Sequence, residues 1–269
     1  MVLHAFDLHY LTMKKKLISQ EQIDCYWEKG WVVVESVFNP QEVEHIAAVA
    51  TALGQEELRA AATGKDVGLH GALYTMDKSK EGSSAPRKID YPFEKNEHFK
   101  NLLLSERLVG IIGKLIGGIP LLVRDQIFLK PPRFGSAKPY HQDNAHFLCS
   151  PGDKVITVWI ALDDVDEENG CLRYIDRSHK GPILPHEPIE GEPHNMAPPT
   201  DLIDLNKESL APVPKGGVVF HHSQTLHTSH RNESDRWRRA YATHWATADV
   251  TSETSFIENS YYNRGLYKV

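Results

Sequence analysis

From Pro120 onward the chain breaks into short β-rich runs: PLLVRDQIFLKPP (120–132), KVITVWIALDD (154–164), CLRYID (171–176), GGVVFHH (216–222) and RAYATHWAT (239–247). The runs are rich in β-branched and aromatic residues, and turn residues separate most of them, which predicts an antiparallel sandwich or barrel. Upstream the texture is helical. ISQEQIDCYWEKG (18–30) opens with Ser19 three residues before Gln22, a capping-box pattern, and stops at Gly30. WVVVESVF (31–38) reads as a strand, and QEVEHIAAVATALGQEELRAAA (41–62) repeats its apolar residues at three and four positions, as a helix does. HFKNLLLSERLVGIIGKLI (98–116) returns to helical spacing and ends at Gly117 and Gly118, whereas the Gly-, Ser- and Lys-rich stretch 64–96 predicts a loop with one strand near Leu73. Helices first and strands second make the class α+β, mainly β, with a helical part over about 18–118 and a β core over about 119–250.

Eight of the 16 prolines fall between Gly181 and Pro214, together with Glu187, Glu190, Glu192, Asp201 and Asp204. Proline lacks the ladder donor, so this segment cannot be a central strand, and a long insert of this kind in a compact domain is expected to be a lid. At 269 residues, with 41% hydrophobic and 25% charged, the chain can bury a large core, and a single domain over 1–269 is expected. A formal charge of −6 supplies no basic field for a phosphate backbone, so nucleic acid is excluded as the expected partner. Cys25, Cys149 and Cys171 are too few and scattered for a disulfide framework. The first residues lack the charge order of a secretory signal, and no apolar run reaches the roughly 20 residues of a membrane span. A soluble, cytoplasmic protein is expected.

The sharpest chemical signal is His141-Gln142-Asp143, which follows a strand and a proline-rich turn. On an extended strand residues two apart face one way, so an imidazole and a carboxylate would share one space. An iron(II) oxygenase needs two such groups and a second imidazole on one face of an octahedron, with three positions left open. Alone the pattern is weak, because 15 histidines and 36 acids produce such pairs by chance. A later strand, GGVVFHHSQTLHTSHRN (216–232), offers His221, His222, His227 and His230, among which spacing does not choose. Arg238 and Arg239 begin the next strand. A guanidinium there could fork onto a carboxylate of 2-oxoglutarate, with a neighbouring hydroxyl such as Ser229 adding a bond.

These segments together resemble the phytanoyl-CoA dioxygenase family of iron(II)- and 2-oxoglutarate-dependent oxygenases, which also includes ectoine hydroxylases. The resemblance is carried, in order, by LISQEQIDCYWEKGWVVVESVFNPQEVEHI (17–46), LKPPRFGSAKPYHQDNAHF (129–147), VWIALDDVDEENGCLRYIDRSHK (158–180) and KGGVVFHHSQTLHTSHRNESDRWRRA (215–240). It implies a double-stranded β-helix, a jelly-roll or cupin-like core, with the metal in its mouth. It implies His141, Asp143 and His227 as iron(II) ligands, Arg238 with Ser229 for the distal carboxylate of 2-oxoglutarate, and Trp159 and, less specifically, Gln126 in the cosubstrate pocket. The implied reaction hydroxylates a small organic molecule with O2 and 2-oxoglutarate, releasing succinate and CO2. One departure stands out: Asp176 and Arg177 replace the family's proline and glycine before Ser178 and His179. Two rivals remain, a cupin-type metal-dependent hydrolase or isomerase, which gives Arg238 no role, and a jelly roll that only binds a small ligand. The acidic, proline-rich insert argues for a small polar, neutral or cationic substrate rather than a CoA ester.

Overall fold

A computed structural model describes residues 17–63, 76–80, 82–190 and 192–267. The amino-terminal 16 residues and the strand expected near Leu73 lie outside them. Helix α1 (Gln20–Lys29) begins as its capping box requires: Ser19 accepts from the Gln22 amide, and the Gln22 side chain accepts from the Ser19 amide. It ends at Gly30, whose φ of 92° is the left-handed conformation; a Cβ there would also meet His179 Nδ1 at 2.4 Å and Thr225 Oγ1 at 2.5 Å. Strand β1 (Trp31–Val34) and helix α2 (Pro40–Ala62) follow.

The stretch expected as loop holds more order than its composition suggests. It forms β2 (Met76–Lys78), β3 (Ser84–Pro86) and β4 (Lys88–Asp90), then the single-turn α3 (Pro92–Lys95). Strands of three residues are too short for a period to show, and pairing with a neighbour, not local pattern, creates them. The helical run 98–116 divides into α4 (Glu97–Leu103) and α5 (Glu106–Ile116), the second closing on left-handed Gly117.

The remaining strands are β5 (Leu121–Lys130), β6 (Lys138–His141), β7 (Cys149–Ser150), β8 (Val155–Ala161), β9 (Leu172–Ile175), β10 (Glu187–Ile189), β11 (Glu192–Ala197), β12 (Glu208–Ala211), β13 (Val218–His222), β14 (His227–Ser229), β15 (Arg238–Ala246) and β16 (Thr251–Ser252). A short helix, α6 (Asn144–Phe147), follows β6. Two sheets dominate, one of six strands in the order β1-β13-β8-β15-β5-β4 and one of four in the order β12-β9-β14-β6, and every pairing in them is antiparallel. The described chain is thus mainly β with helices at its amino-terminal end.

The period of two along a strand divides the core in two. In β8, Ile156, Val158 and Ile160 join the helices in one apolar cluster with Ile111, Ile112 and Leu115, while Trp159 and Ala161 turn to the other side. There they meet Leu172 and Tyr174 of the four-stranded sheet and Trp31, which stacks on Tyr174 at 4.8 Å. The space between the sheets, not the helical layer, holds the polar residues singled out above. The proline-rich insert is also partly ordered: β10 and β11 make a hairpin, and β12 is an edge strand of the smaller sheet, the place a proline-flanked strand can occupy.

Candidate active site

His141, Asp143 and His227 come together between the sheets, with one potential ligand atom from each inside a sphere of mutual distances no larger than 4.8 Å. Their routes differ from the expected one in one respect. Strand β6 ends at His141, and Asp143 already has helical angles, φ −56° and ψ −40°, as the entry to α6. The carboxylate therefore converges on His141 through a turn rather than through strand alternation. His227 lies directly opposite His141 in the ladder between β14 and β6, and their rings are 4.2 Å apart.

The hydrogen bonds around these three groups fix which atom each presents. His141 Nδ1 donates to the Pro139 carbonyl at 2.9 Å and His227 Nδ1 to the Thr225 carbonyl at 2.9 Å, so both Nε2 lone pairs are free. Asp143 Oδ2 accepts twice, from Thr157 Oγ1 at 2.6 Å and from His221 Nε2 at 3.0 Å. Its other oxygen, Oδ1, is left facing His141 Nε2 at 3.7 Å and His227 Nε2 at 4.0 Å. The network continues outward from these groups. The Tyr174 hydroxyl donates to His221 Nδ1 at 2.8 Å; Thr157, having given its proton to Asp143, accepts from His244 Nδ1 at 2.9 Å; and Gln126 Nε2 donates to His244 Nε2 at 3.4 Å. Outer partners that hold ligand atoms in orientation are what a metal centre requires. Two neutral imidazole nitrogens and one carboxylate oxygen on one side of a polar cavity fit an iron(II) facial triad.

Burial, then repulsion from His227, pushes His141 well below the ordinary histidine value, and burial brings His227 down to about 4. Burial opposes the charge on Asp143, but His227 and the hydrogen bond from His221 outweigh it and hold the carboxyl well below its usual range. The site therefore offers neutral imidazoles and an ionised carboxylate at neutral pH, the protonation states in which these side chains bind metal.

The triad opens into a cavity of about 520 Å³ that is also lined by Gln126, Trp159, Ser229 and Arg238, so each pocket residue named from the sequence reaches one space. Arg238 is 3% exposed, its guanidinium lies 5.5 Å from the centre of the Trp159 ring, and its Nε has no hydrogen-bond partner. Burial brings its pKa down to about 9. A buried cation on a cavity wall, with a donor that no protein group satisfies, has the chemistry to pair with a carboxylate. Arg239, one residue on, points the other way. It forks onto Asp163 at 2.6 and 2.9 Å and bonds to Ala47 and Thr51 of α2, a structural role.

Among the other histidines, His222 faces Trp27 and His179 on the helical side, and His146 lines the cavity with its ring 6.3 Å from that of His141, outside the three-residue cluster. Thr157, His244 and Tyr174 escaped the sequence reading as site residues, and His221, one of the four histidines offered for the triad, instead bonds the Asp143 carboxylate. Alternation could have found two of them: Thr157 is two before Trp159, and His244 continues the series Arg238, Ala240, Ala242 along β15. The turn that departs from the family pattern braces the site. Arg177 adopts φ 68° where glycine is usual, and Ser178 Oγ accepts from the Leu226 amide at 2.8 Å, next to His227.

The family model described as phytanoyl-CoA dioxygenase (PhyH) matches residues 26–240. The chain is 31% identical over 235 residues to a probable alpha-ketoglutarate-dependent hypophosphite dioxygenase of Stutzerimonas stutzeri, covering 86% of this chain and 79% of that protein. It is 25% identical over 249 residues to the peroxisomal phytanoyl-CoA dioxygenase of Rattus norvegicus, covering 88% and 71%. Among solved structures, EvdO2 of Micromonospora carbonacea var. aurantiaca complexed with 2-oxoglutarate superposes with a TM-score of 0.67 at 22% identity, covering 87% of this chain and 93% of that one.

Proposed function

The chain belongs to the phytanoyl-CoA dioxygenase family and is an iron(II)- and 2-oxoglutarate-dependent oxygenase, and from that premise we propose that it hydroxylates a small organic metabolite in the cavity between its two sheets. In this reading the two sheets form a double-stranded β-helix within a single domain. His141, Asp143 and His227 hold iron(II), and Arg238 with Ser229 takes the distal carboxylate of 2-oxoglutarate beside Trp159, with Gln126 on the adjoining wall. Bound iron(II), 2-oxoglutarate and O2 together supply the oxidising chemistry and release succinate and CO2.

The contribution of the chain is positional. Thr157 and His221 occupy Asp143 Oδ2 and leave Oδ1 as the metal-facing oxygen. The carbonyls of Pro139 and Thr225 hold the two imidazoles with Nε2 inward. Ala242, a small residue on the cavity lining between Arg238 and His244, leaves room for the cosubstrate on the face of β15. The hairpin β10–β11 roofs the cavity with Glu192 and Asn195, which supports a lid role for the insert 181–214. No helix among the described residues is long and apolar enough to cross a membrane, and all three cysteines are unpaired, which supports a reducing, cytoplasmic setting.

The observation that carries the reading is the pairing, in one cavity, of the triad with a buried arginine whose Nε has no partner. A metal-dependent hydrolase would have no use for that guanidinium. Anaerobic titration of the iron(II)-loaded protein with 2-oxoglutarate should give stoichiometric binding and a weak visible charge-transfer band. Absence of that band, together with metal-dependent hydrolysis that needs no 2-oxoglutarate, would favour the hydrolase reading instead.

A further inference from the structure

The charges that face the cavity do not balance. Five basic side chains line it, Arg87, Lys88, Lys130, Lys138 and Arg238, against Asp143 and Glu192. Four of the five are accounted for. Arg87 has Asp77 at 3.5 Å and donates to the Ala137 carbonyl, and Lys88 has Asp90 at 3.2 Å. Lys130 is buried and donates to the backbone carbonyls of Ser136, Ser229 and His230, clamping the end of β14. Arg238 is assigned to the distal carboxylate of the cosubstrate. The charge of the metal, Asp143, the two carboxylates of 2-oxoglutarate and Arg238 then sum to nothing.

Lys138 is left over. It is half-buried on the cavity wall, and among the described residues its ammonium makes one hydrogen bond, to the neutral Asn195 Oδ1 at 2.7 Å, and no ion pair. Glu192 touches the far side of that amide, at 2.6 Å from Asn195 Nδ2, and is itself exposed. An ammonium has three protons to place, and a cation in a partly desolvated site without an anion is costly unless a ligand completes it. Its position is suited to substrate rather than to metal. Lys138 opposes Ser229 in the same ladder in which His141 opposes His227, so it stands a short step along the strand from the metal ligands. Its charge reaches both imidazoles, where it opposes protonation of His141 and His227. Asn195 belongs to β11, so the same contact joins the roof hairpin to the wall.

We propose that Lys138, steadied by Asn195, anchors an anionic group of the substrate, a carboxylate or a phosphoryl-type oxyanion, beneath the β10–β11 hairpin. This rests on the assignment of the triad and Arg238 given above. It reverses the expectation of a neutral or cationic substrate drawn from the acidic insert. Of the acids in that insert, Glu187, Glu190, Asp201 and Asp204 are all exposed and do not line the cavity, so sequence charge and cavity charge have opposite signs. Anion binding at Lys138 would draw on the bond that holds Asn195, which couples substrate entry to the roof.

The test uses the full chain loaded with iron(II) and 2-oxoglutarate under anaerobic conditions, with propionate and inorganic phosphate as probes in calorimetric titration. At least one probe should bind. Its affinity should fall about tenfold or more in Lys138→Gln and stay within about threefold in Lys138→Arg, while the 2-oxoglutarate band is unchanged in both. Whichever probe binds distinguishes a carboxylate from a phosphoryl group. Asn195→Ala should weaken the same probe with no effect on 2-oxoglutarate. Binding of neither probe to the wild type, equal binding to Lys138→Gln, or a loss of 2-oxoglutarate affinity in Lys138→Gln would each overturn the proposal, the last by making Lys138 a cosubstrate ligand. Failure of the wild type to bind 2-oxoglutarate registers in the separate visible signal and would remove the oxygenase reading on which the proposal stands.

Discussion

Replacing Arg238 by alanine isolates the cosubstrate site from the metal site. Arg238 is 3% exposed, its Nε has no hydrogen-bond partner, and it is not one of the three proposed ligands. A carboxylate arriving there would form a charge-assisted pair in a desolvated setting, worth about 2 to 5 kcal/mol. Its loss should raise the KM for 2-oxoglutarate by about 30-fold to several thousand-fold at 1.4 kcal/mol per decade. Iron(II) affinity should not change, because the triad and its outer partners are untouched. Arg238→Lys should recover only part of the loss, since an ammonium keeps the charge but not the two-pronged geometry. Thermal stability without cosubstrate should be unaltered or improved in Arg238→Ala, because the change removes an uncompensated buried charge instead of breaking a pair. The assay is succinate release as a function of 2-oxoglutarate, alongside iron(II) titration. An unchanged KM for 2-oxoglutarate with normal iron binding would refute the assignment, and a parallel loss of iron would show that Arg238 acts by holding up the triad.

Other outcomes follow from the same geometry. His221→Phe and Thr157→Val each remove one of the two donors to Asp143 Oδ2 and should weaken iron(II) binding about 10- to 100-fold while the fold persists, measured by competition with a chelator; wild-type affinity in both would mean that the carboxylate orientation is set elsewhere. The roof hairpin, residues 187–197, should be cut by limited proteolysis more slowly when iron(II), 2-oxoglutarate and substrate are all present, and identical cleavage in every state would make it a rigid insert. Asp125, buried among Tyr241, Tyr261 and the Phe93 amide, is raised by burial from 3.8 to about 6. The folded state therefore holds this proton more tightly than the unfolded one, so its stabilising contribution is full below about 4 and is lost as pH rises through about 6. Thermal melts of Asp125→Asn should be flatter than wild type across that window, and parallel curves would place the titration in another group.

Much of the fold was legible in local chemistry. The capping box at Ser19 and Gln22, the stop at Gly30 and the helical repeat in 41–62 are short-range features, because a helix satisfies its backbone within a few residues and its pattern shows in sequence. The β runs after Pro120 declared themselves by β-branched and aromatic content. His141, Asp143 and Arg238 could be nominated because motif spacing is also local, and His227 was chosen among four histidines only through a family resemblance. Tertiary structure decided what pairing distance decides. Strands β2, β3 and β4 exist because a neighbour completes their hydrogen bonds, and β4 is what carries Lys88 to the cavity. The convergence of Thr157 and His221 on one carboxylate oxygen, with His244 behind Thr157, and the split between Arg238 inward and Arg239 onto Asp163 all join residues distant in the chain. The sign of the cavity was the part furthest from sequence: of the acids of the insert, Glu187, Glu190, Asp201 and Asp204 are exposed away from the cavity, and Lys138, one of five basic residues on its lining, faces in. Composition counts charges without direction, and only the packed chain assigns each one a side.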